Sequence, residues 1–523
     1  MSPMDSVVPK KRSRSAQNSQ KGQMRAKLKR GGPETDLRQS TAVNVSDVSL
    51  DTDLHNMGSV SQPPEEENMS FLEALSAENL NGNFNTDFDM SITSSDSNPI
   101  NCASANTWAT DCDFLDENAD ILDSSLLGSF CDPYLYQAPA DPFDQTLFCH
   151  YMENLSLQLY PITLENNPYR KVYGSLATES QLVFKAILLA SALHLSKLGK
   201  LPAFAVKPYR VAMQRSFRDS VKTQSAEWSL GATVLLSIIF DVIGTGTDKW
   251  SSKLLGCRQL LERTLSTRDG NADAGLRCLL LQYNWAVTMS KTMLRGVVSE
   301  AVFDELKCIN EITALKDVVA DEDMALHQSQ WWDDLSDYQM HLFLREATEY
   351  SITIERLKLS PDSTDEILQI MPHVAQLVNK IQTWQPKAVT VQSKYMESIH
   401  HFNEIWRLGM ICFVHGEIYG LDSSDHFIQT CVEDALDHLR KLTWLQACLF
   451  PLFMISVHAQ TTSARAAFES KLKKMHESSG FQSLLSVACV LKTIWERSDA
   501  TVGRRFRWRD VIKDLNMELN ILL

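Results

Sequence analysis

The chain has 523 residues and a formal net charge of −15, too long for one ordinary domain and too acidic as a whole to bind nucleic acid nonspecifically. Its longest apolar runs, Ala186–Leu195 and Val234–Ile243, fall short of the ~20 residues that span a bilayer. The N-terminus also lacks the apolar stretch of a secretory signal, so the expectation is a soluble intracellular protein with no membrane partner.

In chain order, the first element is a basic arm, residues 1–33. It carries nine cations (Lys10, Lys11, Arg12, Arg14, Lys21, Arg25, Lys27, Lys29 and Arg30) against one acid, Asp5. Two such blocks on an extended backbone have the chemistry of a nuclear import signal, and the same charges suit weak contact with phosphate. The charge then reverses. From Glu34 to Asp144 there are 22 acids and one base, Arg38. Basic head, acidic tether and nearly neutral body are three separate physical objects, an order common in nuclear regulators and rare in metabolic enzymes.

The acidic segment, residues 34–140, is rich in Ser, Asn, Asp and Thr and has no helix-length apolar stripe. Low hydrophobicity with high net charge predicts disorder. Set among the acids are Phe84, Phe88 and Met90, and then Trp108, Phe114, Leu115, Ile121, Leu122 and Leu126. This mixture is the composition of disordered activation segments, in which carboxylates keep apolar side chains solvated and available to a coactivator groove. A plain acidic linker is the alternative reading.

From Asp141 the texture becomes helical. The spacing of apolar residues predicts helices over 144–160, 179–198, 207–222, 228–243, 250–263, 273–293, 342–357, 362–383, 395–419, 424–442, 445–458, 464–477, 480–497 and 508–520. The helices at 179–198 and 228–243 are apolar almost all round and must be buried. Period-2 alternation is scarce, so residues 141–523 read as all-α: an irregular multi-helix bundle or α-hairpin array with no fixed repeat. Residues 295–340, which hold Asp321–Asp323 and the pair Trp331 and Trp332, have weaker periodicity and are expected to contain a long surface loop.

Chemistry-bearing motifs are few. The eleven cysteines are never closer than ten residues, so no C-x2-C pair encodes a zinc finger or zinc cluster, and buried reduced thiols are expected. Gly244-Thr-Gly246 lacks the third glycine of a dinucleotide loop and is expected to be a turn between helices. The 13 histidines do not read as a ligand set: His400 and His401 are adjacent and should point to different helix faces, while His194, His415 and His458 suit core or rim positions. Glu404, His415 and Glu417 are no more than helix polar faces by spacing. The tryptophans Trp228, Trp250, Trp285, Trp406, Trp444, Trp495 and Trp508 read as core anchors rather than a platform for bases. No catalytic, metal or cofactor residues are assigned, and the chain is not read as an enzyme.

Several stretches carry a resemblance. The run Asp144–Tyr160 followed by Asn167, Pro168, Tyr169 and Arg170, the helix Phe184–Ser196, Leu235–Phe240 with Trp250–Leu261, and the closing Phe450–Ile455, Trp495–Arg497 and Trp508–Ile512 together resemble the fungal-specific transcription factor domain. The likeness is nearest to the branch of arginine and 4-aminobutyrate regulators and covers residues 141–523. That family's DNA reader is a six-cysteine zinc cluster, whereas the first cysteine here is Cys102. No zinc ligand or base-contacting residue is therefore carried over.

The resemblance implies a fungal nuclear regulator of metabolic or biosynthetic genes, whose helical body modulates activity and senses a metabolite. Its expected partners are the transcription machinery or a coactivator, a DNA-bound factor on which the body docks, and a second copy of the chain. The rival readings are a docking cofactor with no activation function of its own, and an enzyme with an unrecognised helical site.

Overall fold

The computed structural model describes residues 141–160, 167–223, 227–267, 274–309, 338–360, 363–385, 397–443, 447–500 and 507–522. Every regular element among them is helical. The predicted segment at Trp331 and Trp332 lies outside the described residues, as does Trp444.

α1 (Pro142–His150) begins as the Asp141-Pro142 pair dictates. The Asp141 carboxylate accepts from the Phe143 amide at 2.8 Å, and Pro142 sits in the first turn, where its missing N–H is harmless. The helix continues through a π turn, Tyr151–Leu155, to Leu159. A second π turn, Tyr169–Tyr173, leads into α2 (Gly174–Glu179); neither is visible in the apolar spacing. α3 (Gln181–Lys197) is started by Ser180 and buried on nearly every face, as its composition requires. α4 (Val206–Lys222) buries only Val206, Met213, Phe217 and Val221, the stripe of an outer helix.

α5 (Glu227–Gly244) and α6 (Trp250–Thr267) pack against each other as a hairpin. Gly244-Thr-Gly246 is the turn between them. Gly246 takes φ of +69°, and its amide donates to the Asp241 carbonyl at 2.9 Å. A Cβ at Gly246 would lie 2.6 Å from that of Ser483, so the position needs glycine twice over.

α7 (Ala274–Met293), the short α8 (Glu300–Glu305) and α9 (Tyr338–Leu357) follow. α8 lies within the segment expected to contain a surface loop: Ser299 caps it and Phe303 is buried, while residues 310–337 lie outside the described residues. α10 (Thr364–Gln382) packs on α9. α11 (Ile399–Phe413) passes into a π turn, Val414–Tyr419, and packs on both α12 (His426–Lys441) and α13 (Leu449–Ser456). α14 (Thr462–Ser479), α15 (Ser483–Ala500) and α16 (Trp508–Asp514) complete the body. α15 reaches back to α5, and α9 touches both α7 and the π turn after α11, so the early and late helices share one core.

The helix expected over 508–520 stops at Asp514, and Asn516 turns left-handed at φ of +48°. Non-local bonds explain the early stop, because the following backbone finds partners outside its own segment. The Asn520 amide donates to the Gly246 carbonyl at 2.7 Å, and its side chain donates to the Ile238 carbonyl at 2.8 Å. The Glu518 carboxylate accepts from the Ser251 amide and hydroxyl at 2.8 and 2.9 Å.

The tryptophans act as anchors. The indoles of Trp250, Trp285, Trp406 and Trp495 each donate to a distant backbone carbonyl, those of Glu518, Leu522, Ala447 and Ser456. Each ring therefore buries its apolar body and still satisfies its N–H. Cys257, Cys278, Cys412 and Cys448 are fully buried free thiols, whereas Cys489 is exposed.

Candidate functional site

The most concentrated charge in the interior is built at the end of α11. The π turn admits one more residue than an α-helical turn would and so re-aims the side chains after it. Gly416 lets this turn pass His458, whose Nε2 would lie 3.2 Å from a Cβ there. Gly420, at φ of +74°, ends it. Glu417 is thereby directed inward, with a side chain only 8% exposed.

Three arginines from other segments meet that carboxylate. Arg509 of α16, 5% exposed, pairs with it directly, while Arg295 and Arg507 approach Glu417 Oε2 to 3.6 and 3.8 Å. Glu355 of α9 closes the ring: Arg295 Nε is 2.9 Å from its Oε2, and an Arg507 terminal nitrogen is 2.6 Å from its Oε1. Arg509 also donates to the Thr292 carbonyl at 3.0 Å and lies over the Trp508 ring, and Arg295 donates to Ser351 Oγ at 3.0 Å.

Three cations thus face two carboxylates across the ends of α7, α9, α11 and α16. Burial, and then the neighbouring Arg295, push Arg509 down from its ordinary value. Burial opposes ionisation of Glu355, yet the guanidiniums of Arg507, Arg295 and Arg509 hold it below the usual carboxylate range. Opposite charges paired across four segments in this way are suited to holding those segments in register.

Two histidine clusters stand apart from this ring, one buried and one at the surface. His194 Nε2 donates to the Ser479 carbonyl at 2.8 Å, which leaves its Nδ1 to accept from His150 Nε2 at 2.9 Å. The tautomers of both rings follow from that one carbonyl. Burial lowers His150 to about 3 and His194 to about 4. The second cluster is His400, His401 and His438, in which one ring nitrogen from each residue lies within 4.8 Å of the other two. It corrects the expectation that adjacent His400 and His401 diverge: both rings turn toward His438, on the last turn of α12, and lie 5.7 and 5.2 Å from it between centroids.

The family of the fungal specific transcription factor domain matches residues 146–522, nearly the whole helical body. The chain belongs to this family. No match is found among curated proteins or among solved structures.

Membership gives the helical body a transcriptional role, and none of its described helices is long and apolar enough to cross a membrane. The basic residues Lys10, Lys11, Arg12, Arg14, Lys21, Arg25, Lys27, Lys29 and Arg30 lie outside the described residues, as do Trp108, Phe114, Leu115, Ile121, Leu122 and Leu126. Of Glu404, His415 and Glu417, the structure brings no pair together. Glu404 pairs with Arg407, Glu417 joins the arginines, and the His415 ring meets Phe427 tilted at 43°, 4.4 Å between centroids. His194 and His458 are buried and bonded as expected, whereas His415 is half-buried with no partner for Nε2 among the described residues. Sequence reasoning misses the arginine cluster altogether. Its one signal is a pair of arginines flanking a tryptophan, Arg507-Trp508-Arg509, in an otherwise apolar closing element.

Proposed function

We propose that this chain is a nuclear, pathway-specific regulator of metabolic or biosynthetic genes. Its helical body is the regulatory part, and the acidic segment over residues 34–140 recruits a coactivator or the transcription machinery. The observation that carries the reading is the family match across the body, joined to the order of basic arm and acidic segment that precedes it. Arm residues Lys10–Arg30 serve nuclear import and add weak, salt-dependent phosphate contact. Promoter choice then comes chiefly from a DNA-bound partner held by the body. The ring of Arg295, Glu355, Glu417, Arg507 and Arg509 ties early and late helices of that regulatory body together.

A reporter experiment tests the activation claim. The chain is tethered to a promoter through an unrelated DNA-binding domain, and Trp108, Phe114, Leu115, Ile121 and Leu122 are replaced together by Ala. Reporter output should fall to background while protein level is unchanged. Unchanged output would remove the activation role and leave the docking-cofactor reading in its place.

A further inference from the structure

We propose that His400, His401 and His438 form a binding site for a divalent transition-metal ion of the zinc class, closing the junction between the first turn of α11 and the last turn of α12. Three imidazoles are the ligand set that such ions prefer and that magnesium and calcium do not. The ring nitrogens converge within 4.8 Å, and His401 Nδ1 lies 2.9 Å from His438 Nδ1. Around a tetrahedral zinc with bonds of about 2.0–2.1 Å, ligand nitrogens sit about 3.4 Å apart. The closest pair need open by only about half an ångström, and the widest separation close by about 1.4 Å. Side-chain torsions of the exposed His400 and the half-exposed His401 and His438 supply movements of that size.

The backbone beneath the rings is already fixed. Ser398 Oγ donates to the Lys441 carbonyl at 3.3 Å and bonds Thr443 Oγ1 at 3.0 Å, tying the start of α11 to the end of α12. Glu397 near His401 and Asp434 near His438 add negative charge around the rings, and the Lys441 ammonium opposes it, while Glu404 is paired with Arg407. The exposed side of His400 leaves a fourth position open to water. The site lies apart from the arginine ring and does not depend on which genes the chain controls.

The test uses the purified full chain, stripped with chelator and titrated with Co2+ and then Zn2+. Binding of one equivalent of Co2+ should give the intense visible absorption of a four-coordinate ion without the near-ultraviolet band of thiolate ligation. Zn2+ should displace the cobalt and raise the Tm. His438→Ala, and separately the exposed His400→Ala, should each weaken Zn2+ binding about tenfold or more. The metal-free Tm of His400→Ala should match that of the wild-type chain, so this variant decides the matter even where His438→Ala folds poorly. No saturable Co2+ binding, a thiolate band in place of the nitrogen-site spectrum, or unchanged Zn2+ affinity in His400→Ala would overturn the proposal.

Discussion

Replacing Glu417 with Gln preserves the shape of the side chain and removes the charge on which three guanidiniums converge. Arg509 and Arg295 are 5% and 13% exposed, and each would then face a neutral amide inside the body. At 3.6 Å and an effective dielectric of about 20, one such pair is worth about 4–5 kcal/mol before desolvation. Removing one partner of a buried pair costs about 3–5 kcal/mol, because the remaining charge stays buried and unpaired. A body of roughly 380 residues unfolds with an entropy of about 0.8 kcal/mol/K, so the loss corresponds to a Tm lower by about 4–6 °C. The assay is thermal unfolding of the full chain, with urea unfolding as a second measure.

Two companion variants locate the effect. Arg507→Ala removes a guanidinium that is 37% exposed and should cost no more than about 1 kcal/mol. The double variant Glu417→Leu with Arg509→Met replaces the buried pair by apolar groups and should recover most of the loss. A Glu417→Gln chain that melts within about 1 °C of wild type would refute the reasoning. So would a loss no larger than that of Arg507→Ala, since the cluster would then contribute no more than a surface ion pair.

Acid should destabilise the body well above the range in which carboxylates titrate. Burial lowers His150 and His341 to about 3 and His194 and His458 to about 4, so between pH 6.5 and 4 the unfolded chain takes up protons that the native one refuses. Stability is therefore full above pH 6.5 and falls toward pH 4. Even a tenfold loss of proton affinity at each of these histidines sums to about 5 kcal/mol. Asp248, raised to about 6 by burial and Asp241, acts in the opposite sense, so the slope reports the surplus of histidines. Urea midpoints measured from pH 7.5 to 4.5 check this, and a flat profile would contradict it. Gly409→Ala should separate α11 from α13, because its Cβ would meet Pro451 Cα at 2.5 Å and the Pro451 carbonyl oxygen at 2.7 Å. The expected result is a loss of more than about 3 kcal/mol or no soluble protein. Gly199→Ala, at φ of +70° in open space, should cost only about 1 kcal/mol.

The helices are legible because their apolar residues declare a buried face at helical spacing. The helix at 179–198 reads as buried from its composition, and Val183, Ile187 and Leu193 of α3 do lie in the core. Terminal signals are legible too, as at Asp141-Pro142. Departures occur where a distant partner overrides local preference. Asn520 and Glu518 hold the closing segment extended through bonds to Gly246 and Ser251, which no window of the sequence contains. The same holds for the site. Glu417 and Arg509 lie 92 positions apart, and His401 and His438 lie 37 apart, so neither cluster has a local motif. Adjacent histidines diverge on an ideal helix, but here the His400 and His401 rings lie 5.3 Å apart and both face His438 across the α11–α12 junction.

The most direct test of the regulatory account is occupancy of chromatin in cells, comparing the full chain with one that lacks residues 1–33 and carries a separate import signal. The account predicts discrete promoter peaks that survive loss of the basic arm, because the helical body holds a DNA-bound partner. Peaks lost with the arm would move DNA recognition to Lys10–Arg30. The absence of promoter peaks with either chain would contradict the account.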